Sequence, residues 1–197
     1  MENEVKEPAP KYNYISPEKY LEIERAAEGK HEYYKGDVFA MSGASWEHNV
    51  ISYNINRLIS PFVHKKGCKL FGSDFRVHIP ESSFFTYPDF TIVCEENLSS
   101  LMYADNLTSP NVIIEILSKS TKDYDRGTKF NLYRSIKTLK EYILIDSTSV
   151  SVELFSRKEN DSWVLTEFKL MTDSFIISTI GLTLQLKDIY EDVSIDG

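Results

Sequence analysis

The chain has 197 residues and a formal net charge of −8, a length that fits one domain able to bury most of its apolar surface without a metal or disulfide as a staple. Net acidity excludes a general nucleic-acid coat protein, whose affinity rests on neutralising phosphates. No apolar run approaches the length of a membrane span, and the polar, proline-containing start from Met1 to Lys11 does not read as a leader. A cytoplasmic protein is therefore expected, with residues 1–12 disordered and residues 13–197 forming a single domain.

Ser16-Pro17-Glu18 reads as a helix start, with Ser at the N-cap and Pro at the first helical position, and predicts a short helix from Pro17 to about Glu28 that stops at Gly29. His31 to Tyr34 and Val38 to Met41, around Lys35-Gly36-Asp37, predict a hairpin. Ser45 caps a longer helix in which Ile51, Ile55, Leu58, Ile59 and Phe62 keep helical spacing, ending near Gly67. Strands follow at about Lys69 to Phe71, Asp74 to Ile79, Tyr87 to Cys94 and Asn111 to Leu117, with turns at Gly72-Ser73 and Pro80-Glu81-Ser82-Ser83 and a loop from Glu95 to Pro110. A third helix, from about Asp123 to Ile136, sets Tyr124, Thr128, Leu132 and Ile136 at steps of four, with Gly127 as a local weakness. Tyr142 to Ile145 reads as a buried strand, and Val150 to Phe155, Trp163 to Phe168 and Phe175 to Ile177 as an antiparallel meander before a tail from Leu182 to Tyr190. Cys68 and Cys94 sit in separate strand-like runs without CxxC spacing and read as small core hydrophobes, so nothing argues for an oxidising compartment.

Two of the strand-like runs, Tyr87 to Val93 and Asn111 to Leu117, each hold one acid among apolar neighbours, Asp89 and Glu115. A carboxylate in such a run must be exposed at a strand end, salt-bridged, or holding a cation, because burial unpaired is costly. Strand alternation puts Asp89, Thr91 and Val93 on one face, and Ile113, Glu115 and Leu117 likewise share a face. If the strands pair, the two acids converge. Two carboxylates with a backbone carbonyl and waters suit Mg²⁺, which would polarise a phosphodiester and help ionise the attacking water. The alternative is an ordinary turn residue at Asp89 and a Glu115 salt-bridged to a helix lysine. From Lys119 to Lys140 the chain carries seven basic residues against two acids. That run is either a solvated helix face or, following Glu115 directly, one that meets a polyanion through Lys119, Lys122 and Arg126. His48, three residues before Ile51, is a core histidine or an accessory to the site, and Glu32 a further carboxylate or a cap. His31, His64 and His78 form no ligand spacing, and no nucleophile elbow, P-loop, zinc tetrad or dinucleotide fingerprint is present.

The order helix, three strands, helix, strand from Ser45 to Ile145, with Pro88-Asp89 and Glu115-Ile116-Leu117, resembles the PD-(D/E)XK nuclease superfamily, and more closely its Uma-type restriction endonuclease family. The resemblance runs through Tyr33-Tyr34-Lys35-Gly36-Asp37, Glu47-His48, Ile113 to Thr121, Asp125-Arg126-Gly127-Thr128-Lys129, Tyr133 and Glu141 to Asp146. It implies an α/β (α+β) fold with a restriction-endonuclease-like mixed central sheet flanked by helices and an additional antiparallel β meander. It further implies a Mg²⁺- or Mn²⁺-dependent endonuclease acting on DNA as a homodimer, with Asp89, Glu115 and the Ile116 carbonyl holding the metal. The superfamily pattern wants a lysine two residues after the acid, where this chain has Leu117. In the resembling family the lysine has moved to the following helix, which nominates Lys129 to serve the water. The rival expectation is a catalytically inactive nucleic-acid or protein interaction module on the same fold, and DNA is not separated from RNA.

Overall fold

In the computed structural model, which describes residues 14–94 and 105–195, the Ser16 hydroxyl accepts a hydrogen bond from the Lys19 N–H and caps α1 (Pro17–Ala26). The expected disordered segment 1–12 and residues 95–104 of the expected loop lie outside the described residues. β1 (His31–Tyr34) and β2 (Asp37–Ala40) form the hairpin, turning through Lys35 and Gly36 at φ 48° and 98°, as a two-residue turn of primed type requires. α2 (Trp46–Lys65) starts where Ser45 accepts from the His48 N–H. β3 (Lys69–Gly72) and β4 (Arg76–Ile79) follow. After a 3₁₀ turn at Pro80–Ser82 the chain forms β5 (Phe84–Thr86), a strand that the adjoining turn residues concealed in the sequence. Pro88, which has no N–H to give a ladder, then marks the crossing to β6 (Phe90–Val93), which belongs to a different sheet. Within the expected loop, β7 (Asn106–Leu107) pairs in parallel with β4.

β8 (Val112–Leu117) leads into a helical segment of three parts: α3 (Lys122–Tyr124), a π-helical turn (Asp125–Lys129) and α4 (Phe130–Tyr133). The chain continues with β9 (Glu141–Asp146), β10 (Val152–Arg157), β11 (Trp163–Phe168), β12 (Ser174–Ile177), β13 (Leu182–Gln185) and α5 (Leu186–Ile189). The central sheet has six strands in the order β11-β10-β9-β8-β6-β3. Its β8–β9 pair is parallel, joined over the helical segment, and its other pairs are antiparallel. A second sheet runs β2-β1-β5-β4-β7. The meander expected after Val150 divides: β10 and β11 extend the central sheet, whereas β12 pairs with β13.

Alternation along β8 separates two cores. Val112, Ile114 and Ile116 pack with Ile51, Ile55 and Ile59 of α2, while Ile113 and Leu117 pack with Tyr133, Ile136 and Tyr142 on the opposite face. Glu115 falls on that second face.

Cys68 and Cys94 are not independent core hydrophobes, as the sequence suggests, but a disulfide. The register explains it: Lys69 lies opposite Val93, so the next pair outward brings Cys68 against Cys94, with Cα atoms 4.0 Å apart. Spacing along the chain gave no register, and the expectation that nothing argues for an oxidising compartment loses its basis in the cysteines. Among the described residues no helix is long and apolar enough to cross a membrane.

Candidate active site

The antiparallel register sets Phe90 opposite Ile114, and the next pair outward sets Asp89 opposite Glu115. Two reciprocal hydrogen bonds lock them: the Asp89 N–H donates to Glu115 Oε2 at 3.3 Å, and the Ile116 N–H donates to Asp89 Oδ2 at 2.7 Å.

Lys129 reaches this pair from the helical segment. Its Nζ lies 3.2 Å from Glu115 Oε1, 3.0 Å from Glu32 Oε1 and 3.2 Å from Asp125 Oδ1. Residues four apart on a helical segment share a face, and here a π-helical turn closes between them, the Phe130 N–H bonding to the Asp125 carbonyl five residues back. Asp125 and Lys129 therefore both face inward. Glu32 comes from β1 and also accepts from the Thr86 hydroxyl. Tyr133, one turn past Lys129, donates to Glu115 Oε1 at 3.0 Å, and Tyr142 donates to the Asp125 carbonyl at 3.1 Å. Glu115 is 4% exposed and Lys129 6%.

Burial pushes the Glu115 carboxyl up to about 8; Lys129 opposes the rise, while Asp125, Asp89 and Glu32 add to it. Burial alone would lower Lys129, but Glu115, Glu32 and Asp125 outweigh it and hold the ammonium well above its ordinary range. Burial likewise raises Asp125 against the pull of Lys129. Lys129 is thus held in its charged form, while Glu115 and Asp125 keep their protons more tightly than exposed carboxyls do. His48, in the first turn of α2, sets Nε2 3.1 Å from Asp89 Oδ1, and its buried Nδ1 has no hydrogen-bond partner among the described residues.

The cluster lines a cleft of about 700 Å³ together with the 41–45 loop, the first turns of α2 and the Ser73-Asp74 turn. Asp89, Glu115, Lys129, Glu32 and His48, all nominated from sequence, converge here. Of the phosphate-binding candidates, Lys119 is exposed and Lys122 half-exposed. Arg126 is otherwise engaged, with Nη2 2.7 Å from Glu153 Oε1 and 3.9 Å from Asp146 Oδ2. Asp125, Thr86, Tyr133 and Tyr142 were not nominated. Asp125 and Tyr133 stand four residues either side of Lys129, a spacing that could have found them, whereas the approach of Thr86 depends on β5.

Among the described residues no three of His, Cys, Asp and Glu are disposed to enclose a metal ion. The oxygens of Asp89 and Glu115 nonetheless fit a hard divalent cation: they are fixed on adjacent strands, and around them carboxyls outnumber cations. Ile116, expected to lend its carbonyl, uses its N–H to hold Asp89.

A mixed sheet with α2 on one face and a crossover helix on the other, and an acid at the start of one central strand opposed to an acid within the next, has the restriction-endonuclease-like fold. The chain belongs to the Uma2 family, described as "Putative restriction endonuclease", which it matches over residues 17–187. It is 32% identical over 188 residues to "Uncharacterized protein slr1290" of Synechocystis sp. strain PCC 6803, covering 95% of this chain and 97% of that one. It is 34% identical over 157 residues to "Uncharacterized protein sll1609" of the same organism, covering 78% and 86%. The crystal structure of a "putative nuclease belonging to DUF820" from Anabaena variabilis superposes with a TM-score of 0.69 at 18% identity, covering 89% of this chain and 97% of that one. The fold expected from sequence is borne out.

Proposed function

We propose that the chain is a Mg²⁺- or Mn²⁺-dependent endonuclease that hydrolyses phosphodiester bonds in DNA. The observation that supports this most is the meeting of Asp89 and Glu115, from paired strands, with the buried ammonium of Lys129, 3.2 Å from Glu115. In this reading Asp89, Glu115 and the Ile116 carbonyl hold the ion. When bound, it polarises the phosphoryl oxygen and makes the attacking water more acidic. Lys129 is too strongly held in its charged form to take a proton at neutral pH, so its part is to orient the water and offset negative charge building on the phosphoryl oxygens. Tyr133 and Glu32 fix Lys129 and Glu115 relative to each other, and His48 steadies Asp89. Lys119 and Lys122 are the cations left for flanking phosphates. A homodimer enters only where both strands of a duplex are cut, each copy taking one strand.

Titration calorimetry with Mn²⁺ tests the assignment. Weak binding is expected for the wild type, lost in both Asp89→Asn and Glu115→Gln. Undiminished binding in either variant refutes this metal site.

A further inference from the structure

We infer that the cleft takes an unpaired nucleic-acid strand, gripped by base stacking on Phe39 and Trp46 at its entrance. This rests on the nuclease reading above and adds the substrate class.

Three observations lead to it. First, the groups assigned to chemistry are recessed: Glu115, Lys129 and Glu32 are all buried beneath a cleft of about 700 Å³. That is the size of a pocket for one compact ligand, roughly 300–1,000 Å³. A single strand can bend a phosphate down into such a recess; the stiff, broad backbone of a duplex cannot without being deformed at a cost.

Second, two exposed aromatic residues bracket the cleft-lining segment 40–45, Phe39 within the lining itself and Trp46 next in the chain after Ser45. Phe39 lies directly opposite Glu32 in the β1–β2 register, so both side chains stand on one face of the hairpin. Phe39 lines the cleft and is 49% exposed. The 41–45 loop that lines the cleft then ends at Trp46, the first residue of α2, which is 73% exposed. The two residues thus stand on either side of the segment from Ala40 to Ser45 that lines the cleft.

Third, a net charge of −8 gives the chain no overall electrostatic pull on a duplex, and Arg126 is already paired to Glu153. Stacking on aromatic faces needs no such charge and tolerates any base.

The test is fluorescence anisotropy on the full chain with Ca²⁺ in place of Mg²⁺, using a labelled twelve-nucleotide oligo-dT, the matching oligo-rU and a duplex of equal length. The single strands should bind more tightly than the duplex. Phe39→Ala with Trp46→Ala should weaken single-strand binding by about a hundredfold, roughly tenfold per ring, while Phe39→Tyr with Trp46→Tyr should restore most of it. In a Trp163→Phe background, emission from Trp46 should be quenched as the oligonucleotide binds. Whichever of oligo-dT and oligo-rU binds more tightly identifies the sugar, and either supports the inference. Unchanged oligonucleotide binding in the double alanine variant, or tighter binding of the duplex, overturns it. Aromatic-dependent binding by a wild type that never cuts circular single-stranded DNA in Mn²⁺ would uphold the stacking site and reject the nuclease reading; cleavage without that dependence would do the reverse.

Discussion

Lys129 Nζ lies 3.2 Å from Glu115 Oε1 although the two residues are fourteen apart and belong to different elements. The lysine that the superfamily pattern would set on the strand reaches the same carboxylate from above, leaving the strand position to Leu117, which packs in the core. That exchange carries a structural cost: Lys129 also pairs with Glu32 and Asp125, so it cannot be removed without stranding buried charge. Lys129→Ala is expected to destabilise the fold at neutral pH by about 3–5 kcal/mol. The deficit should narrow at acidic pH, where the stranded carboxyls protonate. Urea denaturation at two pH values measures it, and a pH-independent loss would count against the cluster.

The Glu115 carboxyl titrates at about 8 in the folded chain against an ordinary 4.5. The folded state therefore holds this proton more tightly than the unfolded state does. The associated stability is fully present below about pH 4.5 and is lost as pH rises through about 8. The melting temperature of metal-free protein should fall between about pH 4.5 and about pH 8, and Glu115→Gln should flatten that fall. Parallel profiles for the two proteins would show that Glu115 is ionised throughout.

Lys122→Ala should lower the slope of log affinity for DNA against log salt by about 0.7 to 0.9, the value of one phosphate contact. Arg126→Ala should leave the slope unchanged, because its guanidinium is held by Glu153. Equal effects of both substitutions would mean that the Arg126–Glu153 pair opens on binding.

Reduction of Cys68–Cys94, which closes a 26-residue separation, should cost about 3 kcal/mol by loop-closure entropy. At roughly 2–4 °C per kcal/mol for a chain of this size, the melting temperature should drop by about 10 °C. Scans with and without reductant measure it. Cys68→Ser should melt like the reduced protein and not respond to reductant.

The parts of this molecule that depend on local signals were legible in the sequence. Ser16 and Ser45 cap helices as read, and the alternation of β6 and β8 put Asp89 and Glu115 on one face. What escaped depends on register or on an unusual turn. The disulfide follows from Lys69 facing Val93, β5 was hidden between turn residues, and the π-helical turn from Asp125 to Lys129 interrupts the continuous helix predicted from Asp123 to Ile136. Arg126 looked like a free cation because its partner Glu153 is 27 residues away on β10.

The most direct measurement is cleavage of circular single-stranded DNA and supercoiled plasmid in Mn²⁺ by the wild type and by Lys129→Ala, at a temperature where circular dichroism shows both folded. The wild type should cut, and Lys129→Ala should retain Mn²⁺ binding yet cut roughly 10²-fold more slowly, the scale of a lost charge-stabilising group. A Lys129→Ala protein as fast as the wild type would contradict the role of the lysine, and a wild type that cuts neither substrate would contradict the nuclease itself and leave a binding module on this fold.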